Sequence, residues 1–207
     1  MKVLVLEHED SGCGLDFVLR CVAAGHSVRY YHKPEYNKLL GRGFKGIEFV
    51  KEWVTSAKWA DLIFVTGNDA WIERLDFIRK KGTHVFAPSA KSARLEIDRA
   101  FGMKFLEDHG IECPEYKTFP TLDAAMAYQM KSNKSLSYVG KSPADMVARI
   151  SRWKKLGMSL KGPCMLQQFI PGVEFAVSRW MGADGWVGLP NENFERKKLL
   201  SGDCGPN

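Results

Sequence analysis

Lys2-Val-Leu-Val-Leu6, the turn Asp10-Ser-Gly-Cys-Gly14, the segment Leu15 to Ala24 and the run Ser27-Val-Arg-Tyr-Tyr31 decide the fold class. The first run is continuously apolar, as expected of a strand covered on both faces. Asp10, Ser11 and the two glycines supply turn and cap chemistry. Leu15, Val18, Leu19 and Val22 recur at helical spacing, and Gly25 stops the helix. Strand, turn, helix and strand in that order predict a parallel pair, because two strands separated by a helix run the same way in the sheet.

The alternation continues outward. Lys33 to Gly46 reads as a loop, and Phe49 to Ala60 as a helix with Trp53, Ala57 and Ala60 on one face. Asp61-Leu-Ile-Phe-Val-Thr66 is a strand, Trp71 to Lys81 a helix ended by Gly82, and Thr83-His-Val-Phe-Ala87 a strand closed by Pro88. Residues 1–90 therefore predict a parallel, doubly wound α/β domain. Residues 91–207 read as a second, α+β domain. It opens with one long amphipathic helix, Ser92 to His109, followed by a strand at Tyr116–Phe119 and a helix from Thr121. A short strand at Leu136 to Val139 and a helix begun by Ser142-Pro143 follow. Cys164 to Ile170, Val173 to Met181 and Trp186 to Leu189 then predict a β-rich end with antiparallel pairing.

Composition fits this reading and narrows function. The 207 residues are 45% hydrophobic and 26% charged, which excludes disordered, collagen-like and membrane-spanning classes. The apolar runs are strand-sized, far short of the ~20 residues that cross a bilayer. The N-terminus lacks the apolar core of a signal peptide. Net charge is 30 − 24 = +6. The cations are scattered and no nucleic-acid motif accompanies them, so an anionic small substrate explains the charge better than nucleic acid. The five cysteines (Cys13, Cys21, Cys113, Cys164, Cys204) show no C-x-x-C spacing. They read as reduced thiols of a cytoplasmic protein, with neither a zinc site nor a disulfide framework.

Familiar motifs fail on context. Gly41-Arg-Gly-Phe-Lys-Gly46 spells G-x-G-x-x-G, but no strand precedes it, so it reads as a flexible basic loop. Ser11-Gly-Cys-Gly14 stands correctly after a strand, at a helix start where an anion could sit, but Phe17 replaces the third glycine. Val139-Gly-Lys-Ser142 lacks the upstream glycine of a phosphate loop. The C-terminal third is richer. Glu174 follows the turn after Gln167-Gln-Phe-Ile170, and Lys197-Lys198 stand close to the rigid Gly202-Asp-Cys-Gly-Pro-Asn207 turn. Cations beside a rigid turn suit an anionic, phosphate-bearing substrate.

Three stretches together resemble the ATP-grasp superfamily and, within it, the phosphoribosylamine–glycine ligases. They are Asp61–Gly67 with Phe86-Ala-Pro-Ser89; Leu95-Glu-Ile-Asp-Arg-Ala-Phe-Gly-Met-Lys-Phe-Leu106 with His109-Gly-Ile and Pro114-Glu-Tyr; and Gln168–Glu174 with Gly202–Asn207. The resemblance implies an ATP-dependent ligase that makes an acyl phosphate from a glycine-like acid and joins it to a phosphorylated amine, with ATP and magnesium as cofactors. It implies that Lys104 touches the ATP phosphates, that Gln167, Gln168, Phe169 and Ile170 form the adenine hinge, and that Glu174 lies near the ribose. Lys197, Lys198, Asp203 and Asn207 then fall where the amine or acid binds. No catalytic residue and no metal ligand is assigned.

The counterpart is incomplete. The family's apolar strand ending in lysine and its glycine-rich loop have no match before Leu136-Ser-Tyr-Val139, and the later magnesium-binding acids are not matched before Asn207. The 207 residues by themselves are therefore expected to be inactive. Two other readings stay open: a non-catalytic nucleotide- or phosphosugar-binding module, and an ATP-grasp ligase for another acid. The last is raised by Glu7-His-Glu-Asp-Ser-Gly-Cys-Gly14, which departs from the family's glycine-rich opening.

Overall fold

The structure is a computed structural model. It describes residues 1–8, 12–32, 39–131, 147–148, 151–152, 155–156, 164–168, 170, 172–182 and 184–194. The chain divides into two compact units, Met1–Cys113 and Pro114–Asn207.

The first unit is built on a parallel sheet of β1 (Lys2–Glu7), β2 (Ser27–His32), β3 (Ile47–Phe49), β4 (Leu62–Val65) and β5 (His84–Phe86), in the order β3-β2-β1-β4-β5. The central strand explains the apolar run that announced it. Val3 and Val5 face one layer, with Val28, Tyr30 and the helix α1 (Gly14–Ala23) through Val18 and Cys21. Leu4 and Leu6 face the other, with Ile63, Val65, Trp53 and Ala57 of α2 (Trp53–Ala57), and Leu75 of α3 (Ile72–Lys80). Fully burying one such side chain is worth roughly 1.5–3 kcal/mol, so this central strand anchors both layers.

Two expectations are corrected here. Phe49 belongs to a strand, and the helix shrinks to Trp53–Ala57. The reason is packing: Phe49 closes on Tyr30 at 5.9 Å between ring centroids, and its backbone pairs with β2. The long helix from Ser92 to His109 is two helices, α4 (Ala90–Ile97) and α5 (Arg99–Asp108). Asp98 breaks them with φ −100° and ψ 88°, and its carboxylate accepts the Phe101 N–H at 3.1 Å as the cap of α5. Gly102 permits the fold-back, because a Cβ there would stand 2.1 Å from the Leu95 carbonyl oxygen.

Both helices pack with the first unit although they lie beyond the division expected near residue 90. Arg79 Nη2 donates to the Ala87 carbonyl at 2.7 Å, the Ala90 N–H donates to Asp76 at 2.9 Å, and Asn68 donates to Glu96.

The second unit contains β6 (Tyr116–Phe119), α6 (Leu122–Lys131), β7 (Cys164–Gln167), β8 (Phe175–Gly182) and β9 (Gly185–Phe194). The antiparallel pairing expected here is present as two separate ribbons, β6–β7 and β8–β9. The second carries a register shift between Ser178 and Trp180, opposite the stretch of β9 that holds Pro190. A proline cannot donate to the ladder, and Arg179 Nε reaches the Gly188 carbonyl at 2.9 Å beside it. The strand expected at Leu136 to Val139 and the helix begun by Ser142 lie outside the described residues.

Candidate functional site

In the first unit, chemistry gathers at the carboxyl ends of the parallel strands. The strand order reverses between β1 and β4, and open α/β sheets bind ligands at such a point. Glu7 ends β1 on the same face as Val3 and Val5, so its carboxylate is delivered to the first turn of α1. Oε2 accepts the Gly14 N–H at 3.1 Å and the Tyr30 hydroxyl. Both Glu7 and Tyr30 are fully buried. Burial, then the hydrogen bond to Glu7 and its charge, push the Tyr30 hydroxyl well above the usual phenol range. A Cβ on Gly14 would lie 2.8 Å from Glu7 Oε2. The helix start expected to be open to an anion is therefore occupied by the chain's own carboxylate.

A separate group is formed by His8, Asp69 and Trp71. His8 Nδ1 is 3.7 Å from an Asp69 oxygen, and its ring meets Trp71 edge-on at 5.5 Å. Trp71 adopts φ 57°, a left-handed conformation rare for so large a residue, where Tyr31 and Trp53 pack its ring. Gly41, Gly43 and Gly46 all have positive φ, in a turn whose Gly41 backbone presses on Leu15 and Phe49. This agrees with the loop reading of the G-x-G-x-x-G string.

Lys104 also lies in the first unit. It is exposed on α5, where it pairs with Asp108 one turn later.

In the second unit Gln167, the first residue of the expected adenine hinge, ends β7 in the β6–β7 ribbon. Tyr116 pairs with Gln167, Lys117 with Leu166, Thr118 with Met165 and Phe119 with Cys164. Side chains alternate across the ribbon. Leu166 and Phe119 are buried on the face that α6 covers through Ala125 and Tyr128. Met165 and Gln167 share the opposite face with Tyr116 and Thr118 and are half-buried. Leu166 is thus core. The Gln168 N–H donates to the Glu115 carbonyl at 2.7 Å, and Gln168 Oε1 accepts the Glu115 N–H at 3.4 Å. That N–H extends the ribbon and is not a hinge donor.

Ile170 and Glu174 are exposed. Phe169, Lys197, Lys198, Asp203 and Asn207 lie outside the described residues.

Two residues escaped the sequence reading. Glu7 had a signal, a lone carboxylate closing an otherwise apolar strand. Lys117 had none: it lies on β6 opposite Leu166, with its ammonium 4.4 Å from the Tyr128 ring centroid. Among the described residues there is no group of three or more His, Cys, Asp or Glu that could hold a metal ion. Nor is any described helix long and apolar enough to cross a membrane.

Comparison with known proteins agrees with the resemblance read from the sequence. No family model matches the chain. A phosphoribosylamine–glycine ligase of Ralstonia nicotianae is 25% identical over 151 residues, which is 64% of this chain and 35% of that protein. A bifunctional purine biosynthetic protein of Pichia angusta is 28% identical over 146 residues, 63% of this chain and 18% of that protein. The matched stretch thus spans about a third or less of these curated relatives. Among solved structures, the N5-carboxyaminoimidazole synthetase of Staphylococcus aureus, complexed with ADP, superposes with a TM-score of 0.65 at 12% identity. That match covers 93% of this chain and 55% of that one. The chain is thus similar in sequence to part of the phosphoribosylamine–glycine ligases and similar in fold to the N5-carboxyaminoimidazole synthetase.

Proposed function

We propose that this chain is part of an ATP-dependent carboxylate–amine ligase of the phosphoribosylamine–glycine ligase type, acting in the cytoplasm. One observation carries the reading. A parallel α/β unit is followed by the antiparallel β6–β7 ribbon, in a chain whose sequence follows the Ralstonia ligase over 64% of its length.

In this scheme a carboxylate oxygen of a glycine-like acid attacks the γ-phosphorus of ATP, and ADP leaves. The nitrogen of a phosphorylated amine then attacks the acyl carbon. The carbon–oxygen bond to phosphate breaks, phosphate departs, and the nitrogen gives up a proton to leave the amide. Such chemistry needs positioned charge more than a strong base.

The adenine is assigned to the face of β7 that carries Met165 and Gln167, with Phe169 and Ile170 continuing the hinge. Gln168 supports it through its pairing with Glu115. Glu174 is assigned to the ribose hydroxyls, and Lys104 to the phosphates once released from Asp108. Lys197, Lys198, Asp203 and Asn207 are assigned to the amine or acid. Magnesium would neutralise the ATP phosphates when bound, and the scheme gives it no ligand among the described residues.

Calorimetric titration of the full-length protein with ATP tests the nucleotide half. Glu174→Ala is expected to weaken binding by roughly 1–3 kcal/mol, the worth of a charged-group hydrogen bond. ADP release with glycine and phosphoribosylamine tests the ligase half. ATP binding without turnover on any acid–amine pair would favour a nucleotide-binding module, and absence of ATP binding would overturn both readings.

A further inference from the structure

We propose that the outer edge of β5, with the carboxyl end of α3 beside it, is a docking site for an extended segment of another protein, which adds as a further strand and carries an acidic residue four positions from an apolar one. The proposal goes beyond the ligase reading and does not rest on it.

β5 is an end strand of the parallel sheet. Among the described residues it pairs with β4 alone, in the register Leu62↔His84, Ile63↔Val85 and Phe64↔Phe86. A strand paired on one side leaves backbone donors and acceptors pointing outward on the other, which is a template for one more strand. Pro88, which would blunt such an edge, stands beyond the strand. The side chains on one face form an aromatic row. Phe17 stacks on Phe64 at 4.0 Å between ring centroids, and Phe64 on Phe86 at 5.3 Å. Phe86 ends that row at the edge of the sheet and is 44% exposed. An open groove of about 480 Å³ lies here, lined by Leu62, Arg79, Gly82, Thr83, His84 and Phe86 among others.

Charge selects the occupant. Arg79, Lys80 and Lys81 follow one another at the end of α3, directly before Gly82. Arg79 is committed to the groove wall: it donates to Asp76 and, through Nη2 at 2.7 Å, to the Ala87 carbonyl. Lys80 and Lys81 are exposed, and neither pairs with an acid among the described residues. Asp76 and Asp61, which adjoin the groove residues Arg79 and Leu62, are engaged elsewhere. Asp76 accepts the Ala90 N–H at 2.9 Å as well as Arg79, and Asp61 accepts the Lys2 N–H at 2.7 Å. The groove therefore presents uncompensated positive charge at one end and an aromatic ring at the other. Side chains of a strand repeat on one face every second residue. Gly82 and Phe86 are four residues apart, so an acid near the lysines and an apolar side chain beside Phe86 share one face of an added strand. A second copy of this chain fits worse. Antiparallel pairing about Val85 would carry the Lys80-Lys81 end of one copy toward Lys91 of the other, cation toward cation.

The amide resonances of His84, Val85 and Phe86 read this edge directly. In the full-length, ¹⁵N-labelled protein, the synthetic peptide Glu-Val-Thr-Val-Phe, capped at both ends, is expected to shift them saturably, and less tightly as salt is added. The peptide Lys-Val-Thr-Val-Phe is expected to bind roughly tenfold more weakly or worse, since it sets a cation against Lys80 and Lys81. Combining Lys80→Glu with Lys81→Glu, both at exposed positions, is expected to weaken the first peptide by a similar factor and to reverse the preference between the two. Amides of β5 that stay unmoved at millimolar peptide would overturn the proposal, as would equal affinity for the two peptides. Movement of the same amides on concentrating the protein without peptide, together with a doubling of its mass, would assign the edge to a second copy and overturn it too. Should the double variant fold poorly, the comparison of the two peptides on the unaltered protein still decides.

Discussion

The hydroxyl of Tyr30 donates to the carboxylate of Glu7 inside the first unit, where neither side chain is exposed. Removing the donor leaves a buried carboxylate with one partner fewer. Tyr30→Phe is therefore expected to lower stability by roughly 1–3 kcal/mol at neutral pH, read from urea denaturation. The same bond has a pH signature. The Tyr30 hydroxyl is held well above the phenol range by burial and by Glu7. An unfolded tyrosine loses its proton near pH ~10. Its contribution is thus fully present below that pH and fades as pH rises toward the folded value. Between neutrality and strong alkali, Tyr30→Phe should lose less stability than the unaltered protein. Equal losses would mean that this pair does not govern the alkaline limb.

Gly102 stands where α5 folds back on α4, with the Leu95 carbonyl oxygen 2.1 Å from where a Cβ would be. Backbone cannot yield as a flexible side chain can. Gly102→Ala is expected to destabilise the first unit by at least ~1–3 kcal/mol, despite the usual gain in helix propensity from alanine. A melting temperature at or above that of the unaltered protein would show that the two helices can separate without cost.

Asp98 caps α5, and its carboxyl lies below the usual range first because it accepts the Phe101 N–H and then because of Arg94. A depressed pKa contributes stability above the unfolded value near ~3.9, and this is lost as pH falls through the folded value. Asp98→Ala should lower the melting temperature at pH 7, and the gap should close in acid, where Asp98 is protonated anyway. A gap that persists unchanged at low pH would assign the effect to something other than the charged cap.

How much of this was legible depended on the length scale of each signal. β1, α1, β2 and β4 announced themselves because apolar runs or a 3.6-residue repeat extended over several residues. β3 has three residues, too few for a period, and only its pairing with β2 makes it a strand. The break at Asp98 was hidden because α4 and α5 are both amphipathic. Asp98 and Gly102 are each tolerable in a helix, and their meaning lies in contacts with Phe101 and Leu95. In the second unit, the strand Cys164–Gln167 was visible as sequence. Which of its residues face inward was decided by pairing with β6, a partner about fifty residues away. The role of Glu7 depended on Tyr30, distant in sequence and adjacent only through the parallel register Val5↔Tyr30.

The β8–β9 ribbon shows the same dependence on partners, and it makes the last prediction. Trp180, Trp186 and Leu189 are 57%, 60% and 85% exposed, and Phe175, Met181 and Phe194 are likewise exposed. A two-stranded ribbon is marginal by itself in water, and side chains of this size on its surface favour association. The 207-residue chain should therefore show tryptophan emission readily quenched by acrylamide, and Trp186→Phe should remove part of the quenched component. Trp53, which is buried, should supply the protected part. Leu189→Lys removes an apolar side chain that makes little use of burial, so folding stability should change by no more than about 0.5 kcal/mol while solubility rises. A large loss of stability in Leu189→Lys, or uniform protection of all tryptophans, would show that this ribbon is covered in the isolated chain.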